Sequence, residues 1–204
     1  MMSKKHLAVG IAAALAACPA RTAGDVFAAV IGGALGGVLC DVECKSLPDA
    51  KDAFAGRLGA GCLTAALLAA DAILRAGLWT SIRSQPLPSL ILGALILILA
   101  TSLGHRTSHR TLTHSLLYVG LLGLGFSLVS PLLTVPALAG GLSHLVLDTL
   151  NKKPVPWLYP LVKKGVCLRL CRADKTANAL FLWLGLASSV ALLAWKMNPF
   201  FHFV

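Results

Sequence analysis

Seven apolar stretches separated by short polar breaks dominate this chain, and they restrict the solvent in which it can fold. They run over Leu7–Ala17, Val26–Leu39, Leu58–Trp79, Leu87–Leu103, Leu112–Leu133, Val135–Leu150 and Ala177–Trp195. A straight membrane-spanning helix needs about 20 residues. The third, fifth and seventh stretches are long enough, and the fourth is near the lower limit. The first, second and sixth are short. They are expected as half-helices or as helices buried among the others, where protein covers the backbone. The 204 residues are 57% hydrophobic and 13% charged, with mean hydropathy +0.80. A soluble chain is about half apolar and about a quarter charged, so lipid is the expected solvent. The expected fold is an all-α polytopic membrane bundle of about 5–7 helices. It forms one membrane-embedded domain over residues 1–204, with a basic cytoplasmic loop at 151–175.

A formal charge of +10 would suit nucleic acid in a soluble protein. In a membrane protein, excess Lys and Arg mark cytoplasmic loops and anionic headgroups. Membrane lipid is therefore the expected partner, with anionic phospholipid at the basic loop, and no nucleic acid. With the N-terminus inside and every stretch crossing or returning, the loops holding Lys4, Lys45, Arg106, Lys153, Lys164 and Arg172 all fall on the inner face. The outer face keeps Arg21, Arg83 and Lys196. Pro154, Pro156 and Pro160 stiffen the basic loop, and Trp157 and Tyr159 are placed to act as interfacial anchors.

Three local features have structural readings. Met1–Ala17 combines a basic start with an apolar run, as in a signal peptide, and Leu15-Ala16-Ala17-Cys18 resembles a lipoprotein cleavage box. An uncleaved first helix with His6 at its inner mouth is the preferred reading. Asp71 and Arg75, four apart, are expected to pair on one helix face. Gly32/Gly36 and Gly33/Gly37 form overlapping G-x-x-x-G steps that let helices approach closely. Of the six cysteines, Cys40/Cys44 and Cys167/Cys171 are spaced four apart, which fits no C-x-x-C motif. They are expected as reduced thiols.

The same topology sorts the ionisable residues. His6 lies at the inner start of stretch one, and Asp41 and Glu43 at the inner end of stretch two. His105, His109 and His114 lie between stretches four and five, and His144 and Asp148 in the last inner turns of stretch six. Five of the six histidines thus reach one membrane face, leaving His202 alone near the C-terminus. His144-x-x-x-Asp148 presents an imidazole and a carboxylate from one helix face, able to share a metal or bridge two. Arg110 stands between His109 and His114, with a guanidinium suited to phosphate or carboxylate oxygens. His and Asp around open positions suit a hydrolytic metal site. Taken singly, each residue also has a plain role: a hydrogen-bonded helix-end histidine, an Asp148–Lys152 pair, solvated loop acids. Ionisable residues at membrane depth are costly, however, and together they point to function.

The runs HRTLTHSLL (109–117), SHLVLDTLNKKPVPWLYPL (143–161) and GGALGGVLCDVE (32–43), with the early His6, resemble the LexA-regulated, inner-membrane-associated, metal-dependent hydrolases of bacteria. The resemblance spans roughly residues 4–161. The motif order is also similar to that of the zinc-dependent phospholipase C and P1 nuclease type. It implies a bacterial inner-membrane hydrolase of phosphoesters, phospholipase-like, with a cytoplasm-facing site. It implies one or two divalent transition-metal ions, zinc first and manganese or iron as alternatives, held by His6, Asp41, His114, His144 and Asp148. His109, Arg110 and Glu43 would be the catalytic groups. Two departures stand out: Glu43 replaces the second Asp of the family's acidic stretch, and His105-Arg106 nearly repeats His109-Arg110. A metal transporter or sensor would use the same ligands but needs a polar path across the membrane. A non-catalytic structural membrane protein needs no metal. A di-iron oxidase needs more histidines than this chain has.

Overall fold

The computed structural model describes residues 3–44, 49–108, 110–171 and 175–201. Among them are eight α-helices and no sheet, only an isolated bridge between Val155 and Val166. The helices are α1 (Ser3–Ala17), α2 (Ala23–Leu39), α3 (Asp49–Leu74), α4 (Leu78–Arg83), α5 (Leu87–Arg106), α6 (Leu116–Val129), α7 (Thr134–Thr149) and α8 (Lys175–Phe201). Five apolar helical segments are long enough to cross a membrane: Ala23–Glu43, Ala50–Leu74, Leu87–Arg106, Pro131–Thr149 and Thr176–Asn198. The polytopic all-α expectation is therefore met.

The lengths differ from expectation in an instructive way. Stretches two and six gain 3-10 turns, Cys40–Glu43 after α2 and Pro131–Leu133 before α7, and so reach spanning length. Stretch five loses residues at both ends. Ser115 caps α6 by accepting from the Tyr118 amide, and Ser130-Pro131 stops it, leaving 14 helical residues. The third stretch breaks at Arg75–Gly77, where Arg75 and Gly77 adopt φ of 52° and 118°. Asp71 does not pair with Arg75. Its two oxygens accept the Leu78 and Trp79 amides at 2.9 and 2.7 Å, which satisfies the orphan donors at the start of α4. A buried carboxylate gains more from two fixed amides than from a guanidinium that is free to reach solvent.

Burial separates an inner group from an outer one. The apolar windows of α2 and α7 are 72% and 56% buried, against 11–17% for α3, α5 and α8. The outer helices turn residues such as Ile98, Leu99, Leu180 and Trp183 outward, as lipid-facing surfaces require. Among the inner helices the glycine steps act as expected. A Cβ at Gly36 would lie 2.2 Å from the Ala137 carbonyl oxygen of α7, and one at Gly37 would lie 2.4 Å from the His6 carbonyl oxygen of α1. Without hydrophobic drive between helices in lipid, such backbone contact is what holds them together. It also brings the inner end of α1 against those of α2 and α7.

Residues 151–171 fold back over this end as a flap. Val155 and Val166 exchange two 2.9 Å backbone hydrogen bonds, Leu168 donates to Thr149 at 2.7 Å, and Cys171 donates to Leu150 at 3.0 Å. Trp157 is tied to the bundle. Its indole N–H donates to Thr149 Oγ1 at 2.8 Å and its carbonyl accepts from Leu116, so the ring pins the flap to α7 while its apolar face packs on the core.

Candidate metal centre

Four helix ends converge beneath the flap. α1 brings His6, the 3-10 turn after α2 brings Asp41 and Glu43, the 3-10 turn Leu112–His114 before α6 brings His114, and the last turns of α7 bring His144 and Asp148. All six are buried. Two groups of donor atoms lie within 4.8 Å of one another: His6, His144 and Asp148, and Asp41, His114 and His144. These are the five residues expected as ligands, and His144 belongs to both groups.

The ring nitrogens are oriented by what stands behind them. His144 Nδ1 donates to the Gly37 carbonyl at 2.8 Å, so Nε2 carries the lone pair. It faces His114 Nε2 at 3.3 Å and Asp41 Oδ1 at 3.6 Å. His114 Nδ1 faces Glu43 Oε1 at 3.2 Å, which turns Nε2 toward Asp148 Oδ2 at 3.3 Å. The His6 ring stacks on His144 with centroids 3.8 Å apart, and its Nε2 lies 3.5 Å from Asp148 Oδ1. The carbonyl behind His144 and the carboxylate behind His114 are the usual means of fixing a metal ligand's tautomer. Burial alone would lower the His114 pKa, but hydrogen bonds to Asp148 and Glu43 overcome it and hold the pKa at about 9.

Arg110 sits at φ 62°, a costly conformation for a residue with a Cβ. It allows the Arg110 amide to donate to Glu43 while the guanidinium reaches Asp148 Oδ2 at 2.7 Å and the Lys153 carbonyl of the flap at 2.8 Å. Glu43 also accepts from the Thr113 hydroxyl. It therefore stands behind His114, outside both donor groups. His105 is exposed and bonds the Val42 carbonyl at 3.0 Å, and of the two His-Arg steps it is Arg110 that reaches the cluster. Asp148 takes Arg110 as its charged partner, not the exposed Lys152. His109 and His202 lie outside the described residues. Sequence reasoning missed Thr113, the Gly37 carbonyl and Lys5. A hydroxyl beside a motif histidine was a usable signal for the first, but nothing in the sequence marks a particular carbonyl.

The donor set fits a divalent metal. His6 Nδ1 and Nε2 and Asp148 Oδ1 are buried without hydrogen-bond partners, a costly state that a cation relieves. Three imidazoles and two carboxylates suit zinc, manganese or iron. The fold and site together define a multi-pass helical membrane protein with a buried His/Asp cluster able to hold a divalent metal at one end of the bundle.

Comparison places it further. A model of the family described as YdjM inner membrane protein matches residues 1–203, and the chain belongs to that family. The family resemblance seen in the motifs is thereby borne out over nearly the whole chain, and so is the inner-membrane location. No curated protein and no solved structure matches.

Proposed function

We propose that the protein is a metal-dependent hydrolase of phosphoesters, acting on a lipid or lipid-linked substrate at the cytoplasmic face of the inner membrane. The observation that carries this reading is the convergence of five buried His and Asp side chains from four helix ends, with an arginine held against one of them. A divalent cation bound there would supply Lewis acidity and bring the pKa of water toward neutrality. The chain's own residues set the geometry. Glu43 and Gly37 fix two imidazoles, and Arg110 holds Asp148 and keeps Nε unspent. Burial of the cluster limits water. His109 remains the assigned acid/base group.

Lipid is favoured by the surroundings. A cavity of about 370 Å³, almost wholly apolar, is lined by Leu116, Leu117, Trp157, Leu158, Tyr159, Pro160 and Leu161. Its first lining residue, Leu116, follows His114 by two positions in the chain. Lys152, Lys153, Lys163 and Lys164, on the same flap as residues 157–161, are exposed and favour anionic headgroups. Transport is disfavoured because the α1–α2–α7 interface beyond the cluster is closed backbone to backbone at Gly10, Gly33 and Gly140.

The test is elemental analysis of protein purified in mild detergent, beside the His144→Ala, Asp148→Ala double variant. About one or two equivalents of transition metal, absent from the variant, together with turnover of a phospholipid or soluble phosphodiester, is the expected result. A well-folded wild type that takes up no zinc, manganese or iron overturns it.

A further inference from the structure

Lys5 is among the largest fully buried side chains of the protein, 1% exposed, and its Nζ has no hydrogen-bond partner. Lys4 beside it is exposed. An ammonium buried without an acceptor is strongly unfavourable, so its retention needs a cause. Its surroundings supply only part of one. The ammonium lies 5.5 Å above the Phe181 ring of α8, a cation–π contact that offsets a fraction of the desolvation. The charged groups of the cluster within its electrostatic reach are Asp148, Asp41 and Arg110. None of them accepts a hydrogen bond from it. Arg110 is in the same condition at one atom: Nη1 and Nη2 are spent on the Lys153 carbonyl and Asp148, while buried Nε is unpartnered.

Among the cluster residues, the unsatisfied atoms therefore divide by chemistry. Asp148 Oδ1 and the lone-pair nitrogen of His6 are suited to a cation. Those of Lys5 and Arg110 are donors on cationic groups, suited to anionic oxygen. We propose that Lys5, with Arg110 Nε, forms the anion-binding half of the site and holds a non-bridging oxygen of the substrate's phosphoryl group beside the metal ligands. This rests on the phosphoester reading above and deepens it, because it names the residue that holds the group to be cleaved. Lys5 outranks Arg110 in this role, since two of the three guanidinium nitrogens are already committed to Asp148 and the flap. The charge balance agrees. A divalent cation bound there would neutralise Asp148 and Asp41, the carboxylates within electrostatic reach of Lys5, and leave the ammonium with excess positive charge in a buried site, where an anion is its natural counterpart.

The test uses the full chain in mild detergent, loaded with zinc, and reads three things separately: metal content, binding of inorganic phosphate by calorimetry, and hydrolysis of both a soluble phosphodiester and phospholipid in mixed micelles. Lys5→Met is the main variant and Lys4→Met the control. Should Lys5→Met not fold, Lys5→Gln keeps most of the length and a neutral donor. The expected result is unchanged metal stoichiometry, phosphate affinity weakened at least tenfold and KM raised in the Lys5 variant, with the control like wild type. A Lys5 variant that binds phosphate as tightly as wild type overturns the assignment, even if both proteins hydrolyse phosphodiesters, in which case the phosphoester reading survives without it. Wild type that binds phosphate through Lys5 but cleaves no phosphodiester sinks the phosphoester reading and leaves the anion site standing. Wild type that binds no phosphate overturns Lys5 as an anion site outright. Hydrolysis of lipid alone, or of the soluble ester as well, distinguishes a headgroup from a free phosphoester as the source of the anion.

Discussion

At the scale of single residues the cluster is balanced by pairs, and each pair yields a measurable consequence. Asp148 stands between His6, His114 and Arg110. Arg110→Met would leave its carboxylate buried without its guanidinium, and breaking such a pair costs about 3–5 kcal/mol. A lowered thermal midpoint in metal-free protein, partly restored by zinc, is the expected outcome, and an unchanged midpoint would show that the pair is not what holds Asp148. Glu43→Gln removes the charge behind His114. Outer-shell losses of this kind typically cost about 10–100-fold in metal affinity, and competition with a fluorescent chelator would measure it. His114 adds a pH dependence. Its pKa is raised from 6.5 to about 9. Its contribution to stability is therefore complete below pH 6.5 and lost as pH rises through about 9. A cation at Nε2 must displace that proton, so apparent metal affinity should rise with pH across the same window. Calorimetry in buffers of different ionisation enthalpy would count the protons released.

At the scale of the element, the inner end of α1 is positioned by glycine. Gly37→Ala would set a methyl group 2.4 Å from the His6 carbonyl, where real side chains do not sit. Overpacking of this kind costs about 1–3 kcal/mol. Because the carbonyl displaced belongs to a candidate ligand, metal affinity should fall together with stability. Gly61, which has open space around it, is the matched control: Gly61→Ala should change neither. The elements also show how much the sequence revealed. The G-x-x-x-G steps and the gathering of His6, Asp41, His114, His144 and Asp148 at one end of the bundle were legible because helix period and hydropathy are local properties. The boundaries of stretches two, five and six were not, since 3-10 turns at Cys40–Glu43 and Pro131–Leu133 carry no hydropathy signature. Asp71 was misassigned for a related reason. A spacing of four predicts a pair only while the helix continues, and here it ends before Arg75. Lys5 carries no local mark of its burial, because its contact with Phe181 of α8 is distant in sequence.

For the whole molecule, the fold makes orientation testable. The cluster and flap share one end of the bundle, and α4 with its flanking turns lies at the other. If the basic end is inside, a cysteine placed at Ser84 in a variant with its other cysteines replaced should react with an impermeant maleimide in intact spheroplasts. Cys167 of the flap, retained as the sole cysteine, should react only after lysis. The reverse pattern would invert the assigned topology and put the site outside.

The convergence of four helix ends on one cluster has a mechanical side. His6 and Asp148 lie at nearly opposite limits of the part of the chain that supplies ligands, so an ion between them would act as a drawstring, gathering one mouth of the bundle and leaving the other to ordinary packing. A bundle laced at one end comes undone from that end. Stripped of metal, the chain should loosen first where the flap meets Thr149 and Leu116, and proteases added from the basic side should find residues 151–171 well before they find the turns around Gly77. The lifetime of the chain in the membrane would then follow the supply of metal on that side.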